Sequence, residues 1–198
     1  AASQPLEAEP GSNFEYSTNT TVILSDIITR QLTDSKDPEV RRRAMLDYMR
    51  GRLFEPLGIT SMVPEFDSSG TMIGGSIIQG NARDWAKFGE FLRNKGSIAG
   101  NQFLTRGWVD FMLTSSPNNP TYGGHIWLNK PSAPGQRKIL YPDLLPGDVF
   151  AAQGHLGQFV IVSPSQRLTI VRLGKTQDNE LGPVKDQIGK IAAMFPRG

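Results

Sequence analysis

The chain has 198 residues, 38% of them hydrophobic and 20% charged, which is typical of a globular protein long enough to bury a core. Its 21 basic and 19 acidic residues give a net charge of +2, which is too balanced to indicate a nucleic-acid partner. The absence of cysteine excludes disulfides, thiolate metal sites and a cysteine nucleophile.

The residue pattern also disfavours a membrane-spanning protein and a protein with a metal or cofactor site. No apolar stretch approaches the roughly 20 residues that a membrane-spanning helix requires, so we expect no membrane span in this chain. With two histidines and no clustered carboxylates, we expect no metal site and no cofactor. The one basic run, Arg41-Arg42-Arg43, is interpreted as a solvated helix face.

Capping residues followed by apolar residues at helical spacing predict four helices in the first part of the chain. We expect them within residues 16–32, 37–53, 81–96 and 105–112. Between the second and third lies a long segment, 59–80, that is rich in Gly, Ser and Pro and shows little periodicity. Because long irregular segments in compact domains are often functional, this one is expected to line or cover a site.

Short β-like runs replace the helical pattern near Tyr122. The strands are expected at 123–128, 149–152, 159–162 and 168–173, with a hairpin loop at 163–166. Consecutive apolar residues predict a sheet covered on both faces. A last helix is expected within 182–195, with Val184, Ile188, Ile191, Ala192 and Phe195 packed on the sheet.

The first candidate for chemistry is Tyr16, which stands in a polar turn just before the first helix. A phenol held by a tight turn can be directed at reacting atoms as a proton shuttle. The competing interpretation of Tyr16-Ser17-Thr18 is a surface turn that caps a helix, because Ser and Thr oxygens accept hydrogen bonds from first-turn amides. The triplet alone does not decide between the two.

The second candidate is the stretch 153–158, which contains His155 and Gly157 and precedes a predicted strand. Glycines at a strand edge allow a ligand to approach the backbone, whose N–H groups can hold a developing oxyanion. A neighbouring histidine can donate a hydrogen bond to a substrate carbonyl or carboxylate. The alternative is an ordinary hairpin with a surface histidine.

Taken together and in order, several stretches resemble the serine β-lactamase-like hydrolase superfamily, in particular its branch of class C β-lactamases, esterases and 6-aminohexanoate-dimer hydrolases. The resemblance covers about residues 9 to 174. Its segments are 10–17, 56–59, 74–75, 81–89, 154–158, 162–164 and 168–173. It implies a mixed α/β (α+β), β-lactamase/transpeptidase-like fold, in which an antiparallel sheet is flanked by helices and joined by a helical subdomain.

The resemblance also implies a mechanism. In this superfamily a Ser-x-x-Lys motif opens a helix, and the serine attacks an ester, amide or lactam to form an acyl-enzyme that water clears. By this resemblance Tyr16 is the catalytic shuttle. Thr18, in the third place of the tyrosine motif, and His155 and Gly157, on the flanking strand, bind the substrate. The partner is a small-molecule ester, amide or lactam, and a periplasmic location is favoured although the sequence leaves the compartment open.

Three departures from the family pattern matter. No Ser-x-x-Lys occurs in the sequence, so we expect residues 1–198 to form a single partial domain. Its helical part is expected over about 11–121. The sheet strands and the last helix are expected over about 122–198. The serine then lies on a missing N-terminal segment, and the isolated chain is inactive. Thr18 replaces the usual Asn. His155-Leu156-Gly157 replaces Lys-Thr-Gly, and Ala152-Gln153-Gly154 is the competing alignment.

These departures leave two alternatives open. A non-catalytic binding or sensor module of the same fold would account for the altered motifs. A peptidase directed at peptidoglycan is the third interpretation, which assays on D-alanyl peptides against short esters would separate.

Overall fold

The computed structural model describes residues 5–134 and 138–198. It is a mixed helix-and-sheet protein with antiparallel strand pairing throughout the described parts, as the sequence predicted. The chain separates into two compact units, residues 1–84 and 85–198. The single partial domain expected from the sequence stays a prediction.

The first unit contains two helices and one small strand pair. Helix α1 spans Thr18–Leu32 and helix α2 spans Pro38–Met49, which continues into a π-helical turn over Arg50–Phe54. Strands β1, Val63–Pro64, and β2, Ile78–Gln79, pair antiparallel within the long segment that was predicted to be irregular.

The helix starts follow the predicted capping chemistry. The Ser17 side chain accepts a hydrogen bond from the amide of Asn19 at the start of α1. The Asp37 carboxylate accepts from the amides of Glu39 and Val40 at the start of α2, at 2.9 and 3.1 Å. Each cap satisfies first-turn amides that have no partner within the helix, so the chain enters both helices where the sequence indicated.

Helix α1 buries its hydroxyl side rather than its apolar side. Ser25 and Thr29 are 2% and 0% exposed, and their hydroxyls donate to the carbonyls of Thr21 and Ser25 one turn earlier. This local bonding satisfies the buried hydroxyls. Leu24, Ile27 and Ile28, the apolar run that indicated the helix, lie on its exposed side.

The reason for this orientation is a close approach by Gly74 and Gly75. A methyl group on Gly75 would lie 2.6 Å from Cγ2 and 2.8 Å from the carbonyl oxygen of Thr18. A methyl on Gly74 would collide with Ser25 Oγ. Only glycine fits here, and only small polar side chains on α1 leave room for the passing backbone.

Arg41 joins three parts of the first unit. Its Nη2 donates to Asp26 of α1 at 2.7 Å and to Thr71 Oγ1, and its Nε donates to the carbonyl of Ser69. The side chain is only 11% exposed. The interpretation of the basic run as a solvated face is therefore wrong for Arg41, because sequence spacing alone did not reveal these distant acceptors.

A buried carboxylate, Asp84, holds the start of the long segment. Its Oδ2 accepts from the amides of Thr60 and Ser61 and from Ser61 Oγ, at 2.7 to 2.9 Å. Its own amide donates to Asn81 Oδ1, which confirms Asn81 as the cap of the third helix. Hydrogen bonds to a charged acceptor are stronger than neutral ones, so the segment is firmly attached at this point.

The second unit is built on a four-stranded antiparallel sheet. After α3, Ala82–Arg93, whose first residues close the first unit, come the hairpin of β3, Ser97–Ile98, and β4, Asn101–Gln102, and then α4, Arg106–Met112. The sheet has the order β5-β6-β7-β8. Its strands are Trp127–Leu128, Phe150–Gly154, Gln158–Ser163 and Leu168–Arg172, and α5, Leu181–Ala193, follows.

Both faces of this sheet are covered, as predicted. One face packs Ala151, Phe159 and Ile161 against Ile188 and Ala192 of α5. On the other face α3 lies directly on the strands at Gly89, where an added methyl would be 2.9 Å from Val160 and 2.7 Å from Thr169. The register Ala151↔Ile161 and Val160↔Val171 places these residues on alternate faces.

Two residues expected to pack on the sheet do not do so. Ile191 and Phe195 are exposed. Helix α5 ends at Ala193, and Gln166 Nε2 donates to the carbonyl of Ala192 in its last turn and to that of Phe195 beyond the helix. Phe195 therefore lies beyond the end of the helix on which the apolar spacing placed it, whereas Ile191 lies within α5 on its exposed side.

The Asp26 carboxylate should make stability depend on pH. Partial burial acts to raise its pKa, but hydrogen bonds from Arg41 and Arg30 outweigh this and hold the pKa of Asp26 below its usual 3.8. The stabilisation is therefore complete above about pH 3.8 and is lost as the pH falls through the lowered folded-state value. Asp26→Asn should cost about 2 kcal/mol at pH 7 and progressively less toward pH 2 in urea unfolding.

Asp47→Asn, at an exposed carboxylate on α2, is the control and should leave stability unchanged at both pH values. An Asp26→Asn deficit of equal size at pH 7 and pH 2 would contradict the ion-pair account.

The contact of Gly75 with α1 gives a second prediction. Gly75→Ala should lower the free energy of unfolding by about 2 kcal/mol, because the methyl must displace the backbone of α1. Gly51→Ala is the matched control in the same unit, since a methyl there meets nothing within 4 Å. Urea unfolding of both variants checks this, and equal stability of the two would show that the close approach is absent.

Candidate active site

Tyr16 and Thr18 lie together at the start of α1, as the sequence predicted. Tyr16 precedes the cap residue Ser17, and its side chain is 51% exposed. Thr18 is the first residue of the helix and is also exposed. Its backbone is the contact point of Gly75. Residues 13–17 form no turn, so the predicted tight turn at Tyr16 is wrong: Tyr16 lies in an irregular segment that leads into the Ser17 cap and the Gly75 contact at Thr18.

His155 and Gly157 lie together in the second unit, in the turn between β6 and β7. The turn is closed by two residues with positive φ, Leu156 at 58° and Gly157 at 79°. His155 is exposed, and its carbonyl accepts from Gln158 Nε2 at 3.3 Å. Gly157 is buried, and a methyl on it would lie 2.5 Å from Leu181. Glycine is thus required at 157 both for its φ and for space.

Hydrogen bonds from Arg172 and Thr176, two residues outside the predicted motif, stabilise this turn. Arg172 Nη1 donates to the carbonyl of Gly157, and Arg172 Nη2 donates to Thr176 Oγ1 at 2.6 Å. The amide of Thr176 donates to the carbonyl of Leu156 at 3.0 Å. A charged donor on the turn's carbonyl stabilises its backbone conformation. Sequence reasoning did not identify these partners, because nothing in a strand pattern marks an arginine that bonds a turn 15 residues earlier.

A cavity of about 200 Å³ adjoins the turn. His155 and Gly157 line it together with Gln153, Asp178 and Lys185. Lys185 Nζ donates to the carbonyl of Ile139 at 2.6 Å, which fixes the ammonium group in the wall. The cavity thus combines an imidazole, an ammonium and a carboxylate, a set suited to polar groups of a ligand.

The competing alignment of the motif stays open. Ala152 to Gly154 belong to the regular β6–β7 ladder, paired with Val160 to Gln158. Gln153 and Gly154 nevertheless line the same cavity as His155 and Gly157. Both alignments therefore bring the motif to one place in the second unit.

Metal ligands are not gathered at either place. Among the residues that the structure describes, no group of three His, Asp or Glu side chains could hold a metal ion.

Within residues 5–134 and 138–198, no helix is long and apolar enough to cross a bilayer.

Comparison with solved structures shows the fold. The chain is similar to a protein from Bacillus anthracis named as a candidate 6-aminohexanoate-dimer hydrolase, with TM-score 0.70, 21% identity and coverage of 96% of this chain and 47% of that one. It is similar to a beta-lactamase from Mycobacterium bovis, with TM-score 0.65, 17% identity and coverage of 94% and 66%. A penicillin-binding protein homologue from Caulobacter crescentus gives TM-score 0.51, 14% identity and coverage of 78% and 55%.

The chain thus spans about half to two thirds of the length of these structures. No curated protein matches it. The beta-lactamase/transpeptidase-like fold that the sequence indicated is confirmed by these neighbours. A family model described as Beta-lactamase matches residues 1–193, nearly the whole chain. The chain therefore belongs to the beta-lactamase family.

Proposed function

We propose that this chain is the C-terminal portion of a serine hydrolase that cleaves ester, amide or lactam bonds through an acyl-enzyme. Family membership supports hydrolysis as the reaction class. The sequence contains no Ser-x-x-Lys, so the proposal assigns the nucleophile to a preceding segment of a longer polypeptide. The isolated chain then binds substrate without turning it over.

The observation that carries the proposal is the fixed and exposed position of Tyr16. A proton shuttle must be accessible to substrate and held within hydrogen-bond reach of the reacting atoms. Tyr16 is half exposed, and the chain directly after it is held by the Ser17 cap and by the Gly75 contact to Thr18. A mobile surface tyrosine would need neither support.

The roles follow from the chemistry of acyl transfer. The serine Oγ forms a bond to the substrate carbonyl carbon as its proton passes to the motif lysine, directly or relayed through the Tyr16 hydroxyl. The C–N or C–O bond then breaks, and the leaving group takes that proton through Tyr16. Water attacks the acyl-enzyme, gives one proton back along the same route and releases the acid.

Three residues are assigned to substrate binding. Thr18 offers a hydroxyl beside the phenol at the start of α1. In the second unit, the imidazole of His155 is assigned as hydrogen-bond donor to a carbonyl or carboxylate of the substrate. The rigid turn at Gly157 is assigned to the close approach of substrate to the backbone.

A second candidate function is a binding or sensor module without catalysis. It is favoured by Thr18 in the place of the family's Asn and by His155-Leu156-Gly157 in the place of Lys-Thr-Gly. The residue at the serine position of the longer polypeptide distinguishes the two functions, because only a Ser-x-x-Lys can form the acyl-enzyme. Activity on D-alanyl peptides in preference to short esters would indicate a peptidase instead.

Tyr16→Phe tests the proposed role in a longer polypeptide that includes the serine. Acylation by p-nitrophenyl acetate should slow by about 10²- to 10⁴-fold, since that is the usual contribution of a positioned proton shuttle. Stopped-flow measurement of the acylation burst gives this rate. The free energy of unfolding should change far less than the acylation rate, because Tyr16 is half exposed.

Tyr48→Phe is the matched control, since Tyr48 is also an exposed tyrosine of the first unit. It should acylate at the unaltered rate. Equal acylation rates for the two variants would remove Tyr16 from the mechanism.

A further inference from the structure

Helix α1 presents an exposed apolar stripe. Leu24, Ile27 and Ile28 are 42%, 50% and 41% exposed, and we call these three residues the α1 stripe. Their spacing of i, i+3 and i+4 places them on one side of the helix. Single exposed apolar residues are ordinary on a protein surface, whereas a contiguous apolar patch marks a place of contact. The stripe therefore calls for an occupant.

Both sides of α1 are suited to burial. On the side that faces its own unit, Ser25 and Thr29 are buried and donate to carbonyls of the same helix. The two charged residues of the helix, Asp26 and Arg30, pair with each other at 2.7 Å, so the stripe itself carries no charge. An apolar helical stripe of this kind normally faces a protein core. The pattern indicates a helix that is packed on two sides.

The size of the stripe favours a segment of the same polypeptide over a second copy of the chain. A stable dimer buries about 800 Å² on each partner, far more than three half-exposed side chains of one helix can supply. One further helix, packed by its own ridge of apolar residues, is enough to cover it. The Bacillus anthracis structure matches 96% of this chain over only 47% of its own length, so that fold contains elements that residues 1–198 do not supply.

The stripe also begins close to the residue assigned as proton shuttle. Tyr16 lies two residues before Thr18, the first residue of α1. Leu24 follows Thr18 by six residues, which is about 9 Å along the helix axis. A segment that brings a nucleophile within hydrogen-bond reach of Tyr16 therefore needs less than two further helical turns to reach the stripe.

We propose that the α1 stripe is the docking surface for the segment that precedes residue 1 in the longer polypeptide, and that this segment packs on it as an amphipathic helix. The identity of the occupant as the segment that bears the nucleophile rests on the proposed function; the apolar contact does not. Removal of Leu24, Ile27 and Ile28 from water drives the docking.

The test uses the absence of cysteine from the 198-residue chain, since a single introduced thiol then reports on one place. Ile27→Cys is made in this chain and in the longer polypeptide. Alkylation by N-ethylmaleimide is followed by mass spectrometry on the peptide that contains residue 27. The thiol should react at least about tenfold more slowly in the longer polypeptide, because a packed side chain is reached only when its contact opens locally. Leu24→Cys repeats the measurement at a second position, in case Ile27→Cys prevents folding.

Asp47→Cys is the matched control, at an exposed position of helix α2 in the same unit. Its thiol should react at the same rate in both polypeptides. The proposal is overturned if the thiols at residues 24 and 27 react as fast in the longer polypeptide as in the 198-residue chain. It is also overturned if a higher concentration of the 198-residue chain alone protects them, because a second copy then covers the stripe.

The two proposals fail separately. The alkylation involves no catalysis, so protection of residue 27 in a longer polypeptide that forms no acyl-enzyme would refute the hydrolase and leave the docking surface standing. Acylation that depends on Tyr16, combined with an unprotected thiol at residue 27, would do the reverse.

Discussion

The close approach of the Gly75 backbone to Thr18 determines where the candidate chemistry of the first unit stands. A helix usually packs through its apolar side, whereas α1 packs through Ser25 and Thr29, because only small side chains admit the passing backbone. The hydroxyls tolerate burial because each bonds a carbonyl of its own helix. This contact sets the rotation of α1 and, with it, the place of Tyr16.

The rest of the first unit reinforces that contact. Asp84 attaches one end of the 59–80 segment, and Arg41 attaches its middle to α1 and α2 through Asp26, Ser69 and Thr71. Charged hydrogen bonds of this kind rigidify a segment that has almost no regular structure.

Local signals predicted most of the elements, whereas long-range contacts were beyond them. The caps Ser17 and Asp37 located the helix starts, and consecutive apolar residues located the two long strands, because these signals act within a few residues. The inward orientation of Arg41 and the bracing of the turn by Arg172 depend on partners 15 or more residues away. Sequence periodicity records no such partner, and it also extended α5 past its end.

The central claim is that this chain supplies the shuttle and the substrate-binding groups but not the nucleophile. Mass spectrometry after treatment with a fluorophosphonate tests it most directly, on the 198-residue chain and on a longer polypeptide that adds the preceding segment. We expect no adduct on the chain, and one adduct on the longer polypeptide, at a Ser-x-x-Lys serine outside residues 1–198. An adduct on any serine within these residues, with esterase activity that it abolishes, would contradict the account.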